Sequence, residues 1–333
     1  MCIRDRQFIV RGRMKRSNEQ PERAFLLAGA ARDNGHTLVQ TQDFGAAPRA
    51  AIHTPEYLRF LATAWERWQA LDDASDEVTP NVHPFPGQPC TYPDSLVGQA
   101  GYHMGDMACS IGQHTWNAAV WSAHAATHAA ALVLEGERAT YALCRPPGHH
   151  AYADRANGFT YLNNAAIAAQ YLRRQHPRVA ILDVDVHHGN GTQGIFWRRS
   201  DVLTLSLHGD PHFCTPFFTG HAHERGEGEG LGYNLNYPLA RGTGTDDYLH
   251  ALARACQAIR DFQPGALVVA LGLDAHERDP YKALAVSTEG FARITGEIAR
   301  LGLPTVFVQE GGYLSPDLPL NLASALRGFE AVA

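Results

Sequence analysis

The sequence predicts an α/β domain wound on both sides of a largely parallel sheet, and three observations carry that reading. Short apolar runs alternate with segments of helical pattern, the runs are apolar throughout, and chemically unusual polar residues fall just after them. Strands covered on both faces read as continuous apolar stretches, which is the habit of parallel sheets. Strand and helix in alternation give layered α/β architecture with right-handed crossovers.

Taken in order, FIV close to the N-terminus fits a short strand, and Tyr57–Leu71 fits a helix whose Trp65 and Trp68 pack into a core or interface. Thr79–Gly101, rich in Pro and Gly, reads as a long loop. The expected strands are Thr140–Pro146, Arg178–Asp185, Asp201–Leu207, Gly265–Gly272 and Pro304–Glu310. The expected helices are His114–Leu134, Asn163–Gln175, Asp246–Asp261, Glu289–Arg300 and Leu318–Glu330. A second long loop is expected over His208–Gly232, and loops of such length inside a compact domain are usually functional.

The 333 residues can bury one large core. Without an internal repeat or low-complexity linker, a single domain over 1–333 is expected, with 1–7 poorly ordered or foreign to the fold and 79–113 as an insertion loop. Hydrophobic residues make up 45%, charged residues 19%, and the net charge is −6, a balance unsuited to gripping a nucleic-acid backbone. No apolar run approaches the roughly 20 residues that span a bilayer, and no apolar signal segment opens the chain. Six scattered cysteines without a CxxC pair point to reduced thiols in a cytoplasm, not to a disulfide frame or thiolate zinc site.

In open parallel sheets the active site lies beyond the carboxyl ends of the strands. There the sequence places His149 and His150, then Asp183, Asp185, His187 and His188, then Asp274, then Tyr313. Side chains alternate along a strand, so Asp183, Asp185 and His187 are expected on one face. Bare carboxylates beside an imidazole in a dry sheet would be poorly solvated, and a divalent cation removes the conflict. Asp185, His187 and Asp274 make a three-ligand set with a position left open, the pattern of a catalytic zinc site; Fe2+, Co2+ or Mn2+ suit the same donors. Adjacent imidazoles serve acid–base work near neutral pH, and a phenol can stabilise an oxyanion. These parts describe metal-assisted hydrolysis of an amide.

RPPGHHA, GFTYLNNAA, LDVDVHHGNGTQ, LSLHGDP, GLDAHERDP and EGGY, in that order, resemble the zinc-dependent histone deacetylase family, most closely its bacterial acetylpolyamine amidohydrolase branch. The resemblance spans roughly Thr79 to the C-terminus. It implies the three-layer arginase/deacetylase fold with a central eight-stranded, mostly parallel sheet. It implies zinc on Asp185, His187 and Asp274, Tyr313 polarising the acyl carbonyl, His150 as general base, and His149 as electrostatic partner or acid. Asp183 would orient His149, and with Asp185, His187, Ser206 and Leu207 would hold a structural potassium ion. Asn190 stands behind His150 where some relatives have aspartate. Gly158 and Phe159 would line a tunnel for an acyl-lysine-like chain, with Phe217 or Phe218 opposite. The family's usual cysteine in GFTYLNN is Thr160 here.

The expected activity is removal of acetyl from acetylated polyamines. The alternatives are a lysine (histone-like) protein deacetylase and a catalytically silent binding protein. The insertion loop would narrow the entrance and build a homodimer, and Asp94 and Asp106 would meet a distal ammonium. His188, expected off the ligand face, is read as structural. His124 and His128 lack a third ligand and are read as helix packing.

Overall fold

The computed structural model describes residues 7–10 and 12–333. The expectation for 1–7 falls outside the described residues, the backbone of Gln7 apart. In chain order the elements are β1 (Gln7–Val10), β2 (Arg13–Arg16), α1 (Glu22–Asp33), α2 (Ala47–Ala50), α3 (Pro55–Gln69), α4 (Leu96–His103), α5 (Thr115–Leu134), β3 (Ala139–Ala142) and α6 (Asn164–Leu172). There follow β4 (Val179–Asp183), α7 (Asn190–Phe196), β5 (Val202–Gly209), β6 (Asn234–Leu239), α8 (Thr245–Phe262), β7 (Ala266–Leu271), α9 (Thr288–Ala299), β8 (Thr305–Gln309) and α10 (Leu318–Glu330).

The strand order is β3-β8-β7-β4-β5-β6, and every pairing is parallel. Among the described residues the sheet thus has six strands, not the eight expected. β1 and β2 form a separate antiparallel hairpin instead of opening the sheet. The sixth strand, NLNYPL, is not among the expected runs because it sits at an edge, where Asn and Pro are tolerated.

Alternation sorts the strand residues into two cores. Val179, Ile181, Val268 and Val306 pack with Tyr57, Leu61 and Ile167 from α3 and α6 on one face. Ala180, Leu182, Val269 and Phe307 pack with Leu27, Leu252 and Leu322 from α1, α8 and α10 on the other. Each fully buried aliphatic side chain contributes about 1.5–3 kcal/mol, and a one-residue slip of a strand would exchange its two faces. The three layers follow from this.

Two expected loops hold more structure than their composition suggests. Thr79–Gly101 contains the start of α4, whose Ser95 cap accepts the Gly98 N–H, and a 3-10 turn follows at Met107–Cys109. Glycines at 98 and 101 hide that helix from propensity. In His208–Gly232, β5 runs on to Gly209, and a 3-10 turn occupies Gly228–Gly230. The five described cysteines form no disulfide, and no helix of the described residues is long and apolar enough to cross a membrane.

His53 ties α3's approach to the start of α6. Its Nε2 accepts the Asn163 N–H at 3.0 Å, while Asn163 Oδ1 caps α6 by accepting from Ala166. Burial lowers its pKa to about 4, from 6.5. The unfolded chain therefore binds the extra proton between those values. Stability from this group is complete above pH 6.5 and is lost at up to about 1.4 kcal/mol per pH unit as pH falls toward 4. Denaturant titrations at pH 7 and pH 5 should show a smaller loss for His53→Gln than for the parent.

Candidate active site

Loops that follow β3, β8, β7 and β4, four adjacent strands, meet at one end of the sheet. β4 stops at Asp183, and the chain then turns, so the expectation that Asp183, Asp185 and His187 share one strand face is corrected. Two successive side-chain-to-backbone bonds shape the turn. Asp183 Oδ1 accepts the Asp185 N–H at 3.0 Å, and Asp185 Oδ1 accepts the His187 N–H at 2.8 Å. Short acidic side chains favour such local turns. Asp274 reaches in from β7, its Oδ1 accepting the Val186 N–H at 3.0 Å.

The result is a buried set, Asp185, His187 and Asp274, whose donor atoms lie within 4.8 Å of one another. His187 Nδ1 is 3.1 Å from Asp185 Oδ1 and 3.3 Å from Asp274 Oδ2. Among the described residues Asp274 Oδ2 is buried and makes no hydrogen bond beyond that contact, a penalty that a dication would relieve. Burial raises the Asp274 carboxyl, and Asp185 beside it adds repulsion. Burial would also raise Asp185, but His149 and His187 outweigh it and hold that carboxyl below the usual range. Burial opposes protonation of His187, yet the two carboxylates raise it well above its ordinary value; metal binding would release that proton. Nitrogen plus two carboxylates, dry and convergent, fits a divalent metal. Gly311 seals the set: a Cβ there would stand 2.1 Å from Asp274 Oδ2.

The histidine pair comes from the loop after β3, with ring centroids 4.1 Å apart. His149 Nδ1 is 2.9 Å from Asp183 Oδ2, and His150 Nδ1 is 2.7 Å from Asn190 Oδ1. Their environments push them apart. Burial opposes charge on His149, but Asp183 and Asp185 raise its pKa to about 10. Burial, then the charge of His149, takes His150 well below its usual value.

Tyr313 is buried, with Arg23 over its ring at 5.0 Å and its N–H donated to Asp279 Oδ2 at 3.1 Å. Burial and Tyr281 raise its pKa well above 10, so it remains a neutral donor. Phe159 lies 6.3 Å from Tyr313 between ring centroids. Phe217 and Phe218 are 49% and 87% exposed, so Phe218 faces solvent and Phe217 is the one partly covered. Ser206 Oγ meets His208 Nδ1 at 2.8 Å, and a small cavity beside Ser206 and Asp183 is lined also by Ile181, Thr204, Leu205 and Asn236. Leu207, Asp185 and His187 do not line it. His188 bonds Thr219, away from the ligand set, while His124 and His128 are buried on α5.

Two acidic residues expected at a distal ammonium part company. Asp94 is exposed. Asp106 instead is half-buried, its carboxylate accepting the N–H groups of Ala108 and Gly158 at 2.9 and 3.0 Å. It holds the Gly158–Phe159 turn. Gly158 adopts φ +51°, and an added Cβ would sit 2.5 Å from His150 Cδ2. Gly158→Ala should therefore lower kcat about 100-fold by displacing His150, with metal content unchanged in elemental analysis.

Sequence reasoning missed Arg23, Asp279, Tyr281 and Glu310. Tyr281 stands 4.8 Å from His187 and 5.0 Å from Tyr313 between ring centroids. Asp279 and Tyr281 lie within or beside the quoted DAHERDP, and Glu310 opens EGGY, but Arg23 lies in a stretch without a quotable pattern.

Fold and site together define a hydrolase of the metal-dependent deacetylase class. Residues 15–329 match the family model described as histone deacetylase domain, and the chain belongs to that family. The match begins well before Thr79, so the family extends further toward the N-terminus than the motifs alone indicate. An acetylpolyamine amidohydrolase from Burkholderia pseudomallei (strain 1710b) is 48% identical over 328 residues, which is 98% of this chain and 95% of that protein. Acetylpolyamine amidohydrolase 1 of Pseudomonas aeruginosa is 44% identical over 331 residues, with the same coverage. A crystal structure of acetylpolyamine aminohydrolase from Burkholderia pseudomallei superposes with a TM-score of 0.95 at 47% identity, covering 99% of this chain and 96% of that one.

Proposed function

We propose that the protein hydrolyses the amide of acetylated polyamines or similar acetylated amines, releasing acetate and a free amine. One observation carries the chemistry: the Asp185–His187–Asp274 set stands beside the histidine pair, His149 Nε2 lying 3.8 Å from Asp185 Oδ1, and His187 packs on Tyr281, which in turn packs on the buried Tyr313. The substrate class is supported by the names of relatives matched along almost their whole length.

A dication held by Asp185, His187 and Asp274 supplies Lewis acidity and lowers the pKa of water. Zn2+ is the proposed ion; Fe2+, Co2+ and Mn2+ accept the same donors. His150, neutral and hydrogen-bonded to Asn190 through Nδ1, leaves Nε2 to take the proton from attacking water. Asn190 keeps the ring oriented without adding charge. His149, protonated against Asp183, favours the developing negative charge and can pass a proton to the leaving amine. Tyr313 donates its hydroxyl proton in a hydrogen bond to the acyl oxygen. Gly158, Phe159 and Phe217 wall the approach, and Asp94 is the acidic group left free for a distal ammonium.

We further propose a structural K+ beside Asp183 and Ser206, one domain over 1–333, a cytoplasmic location and a homodimer formed through 79–113. Exposed Val82, Phe85 and Tyr92 in that insertion support the last. Neither nucleic acid nor membrane is a proposed partner. Initial rates on acetylputrescine and acetylspermidine against acetyl-lysine peptides test the substrate class. Faster turnover of the peptides would favour the protein-deacetylase reading.

A further inference from the structure

We propose that Glu310 is a positioning residue that registers the His149–His150 loop against the metal-ligand and tyrosine loops. The inference rests on the deacetylase reading of the site and adds a part to it. Glu310 is wholly buried at the end of β8, and its Oε2 accepts the N–H groups of Gly148 and His149 at 2.6 and 3.0 Å. Residues 144–149 have no ladder partner, and among the described residues these two amides have no other acceptor.

The same short segment touches each of the other catalytic parts. The Glu310 carbonyl accepts from Arg23 Nη2 at 2.7 Å, and Arg23 Nε donates to the Gly312 carbonyl while its guanidinium covers the Tyr313 ring. Gly311 N–H donates to Asp185 Oδ2 at 2.7 Å. Glu310 N–H is itself fixed on the Leu271 carbonyl of the neighbouring strand. One residue thus bonds the general-base loop through its side chain, while its own backbone is locked to the tyrosine and ligand side.

A buried carboxylate is a costly way to satisfy two amides. Among the described residues Glu310 Oε1 has no hydrogen-bond partner, which makes simple packing a poor account of the residue. Methionine would fill the same volume without burying a charge, but it would release the Gly148 and His149 amides. A displacement of His150 by about 1 Å is enough to cost roughly 100-fold in rate.

The test compares Glu310→Met with Glu310→Gln in the full-length, zinc-loaded protein. Glu310→Met is expected to lower kcat about 100-fold, with KM and zinc content near wild type and faster amide hydrogen exchange at Gly148–His150. Glu310→Gln keeps an acceptor oxygen in place and should retain kcat within about fivefold. Wild-type kcat in the Met variant, equal loss in both variants, or unchanged exchange in the Met variant would each overturn the proposal. Should the Met variant not fold, Glu310→Asp, whose shorter reach breaks the same bonds, must show the loss of kcat or the proposal fails. Exchange needs no substrate, and the kcat ratio can be read on any acetylamide that turns over, so an error in substrate class would not mimic these outcomes.

Discussion

Asp274→Ala should yield a folded chain that no longer retains the catalytic metal, with turnover down about 1,000-fold or more. The expectation rests on what remains. His187 stands 3.1 Å from Asp185 and 3.3 Å from Asp274, so both carboxylates share one imidazole, and among the described residues Asp274 Oδ2 makes no hydrogen bond beyond that contact. Two donors do not fix an open tetrahedral site, and loss of Lewis acidity forfeits several kcal/mol of transition-state stabilisation. Removing a buried carboxylate also removes repulsion against Asp185. It also strips the Val186 N–H of its acceptor and His187 of one partner, so the metal-free variant should melt somewhat below metal-free wild type. Thermal unfolding with and without chelator checks this: chelation should lower the melting temperature of the parent and leave the variant unchanged. A variant that keeps a stoichiometric ion and full activity would remove Asp274 from the ligand set.

Tyr313→Phe should lower kcat by about 100- to 1,000-fold while KM, metal content and melting temperature stay near wild type. That magnitude is typical of losing one preorganised donor at an oxyanion position. The ring's packing survives the change, since Arg23, Tyr281 and Phe159 all touch its faces or edges and not only its hydroxyl. Because burial lifts the phenol well above its ordinary range, Tyr313 should also contribute no loss of rate between pH 7 and pH 9. Steady-state kinetics across that interval reads both claims at once. If the Phe variant matched wild type, the acyl oxygen would be stabilised by another group.

These effects fall on residues that the amino-acid sequence singles out, and the reason is physical. A continuous apolar run such as VAILD admits few explanations other than a strand covered on both faces, and acids placed at its end need one. Other parts are illegible for equally definite causes. β6 carries two asparagines and a proline because it is an edge, so its composition resembles a loop. The helix in the insertion contains two glycines. Asp106 reads as free because sequence shows charge but not its partners; in the fold its carboxylate is consumed by backbone amides. Arg23 acts across almost the whole length of the chain, on carbonyls at 310 and 312, and no local pattern encodes so remote a contact. The family resemblance implies eight strands, which the described residues reduce to six.

Asp183 holds the turn with one oxygen and steers the imidazole of His149 with the other. A single carboxylate therefore answers for both the aim of the ligands and the charge of the acid. Alanine at this position would confound the two duties, and a dead enzyme would say nothing about which had failed. Asparagine separates them: its carbonyl oxygen can go on receiving the Asp185 amide, while the counter-charge vanishes and its NH2 meets His149 Nδ1 as a donor, so the rate lost measures the charge and tautomer of that imidazole.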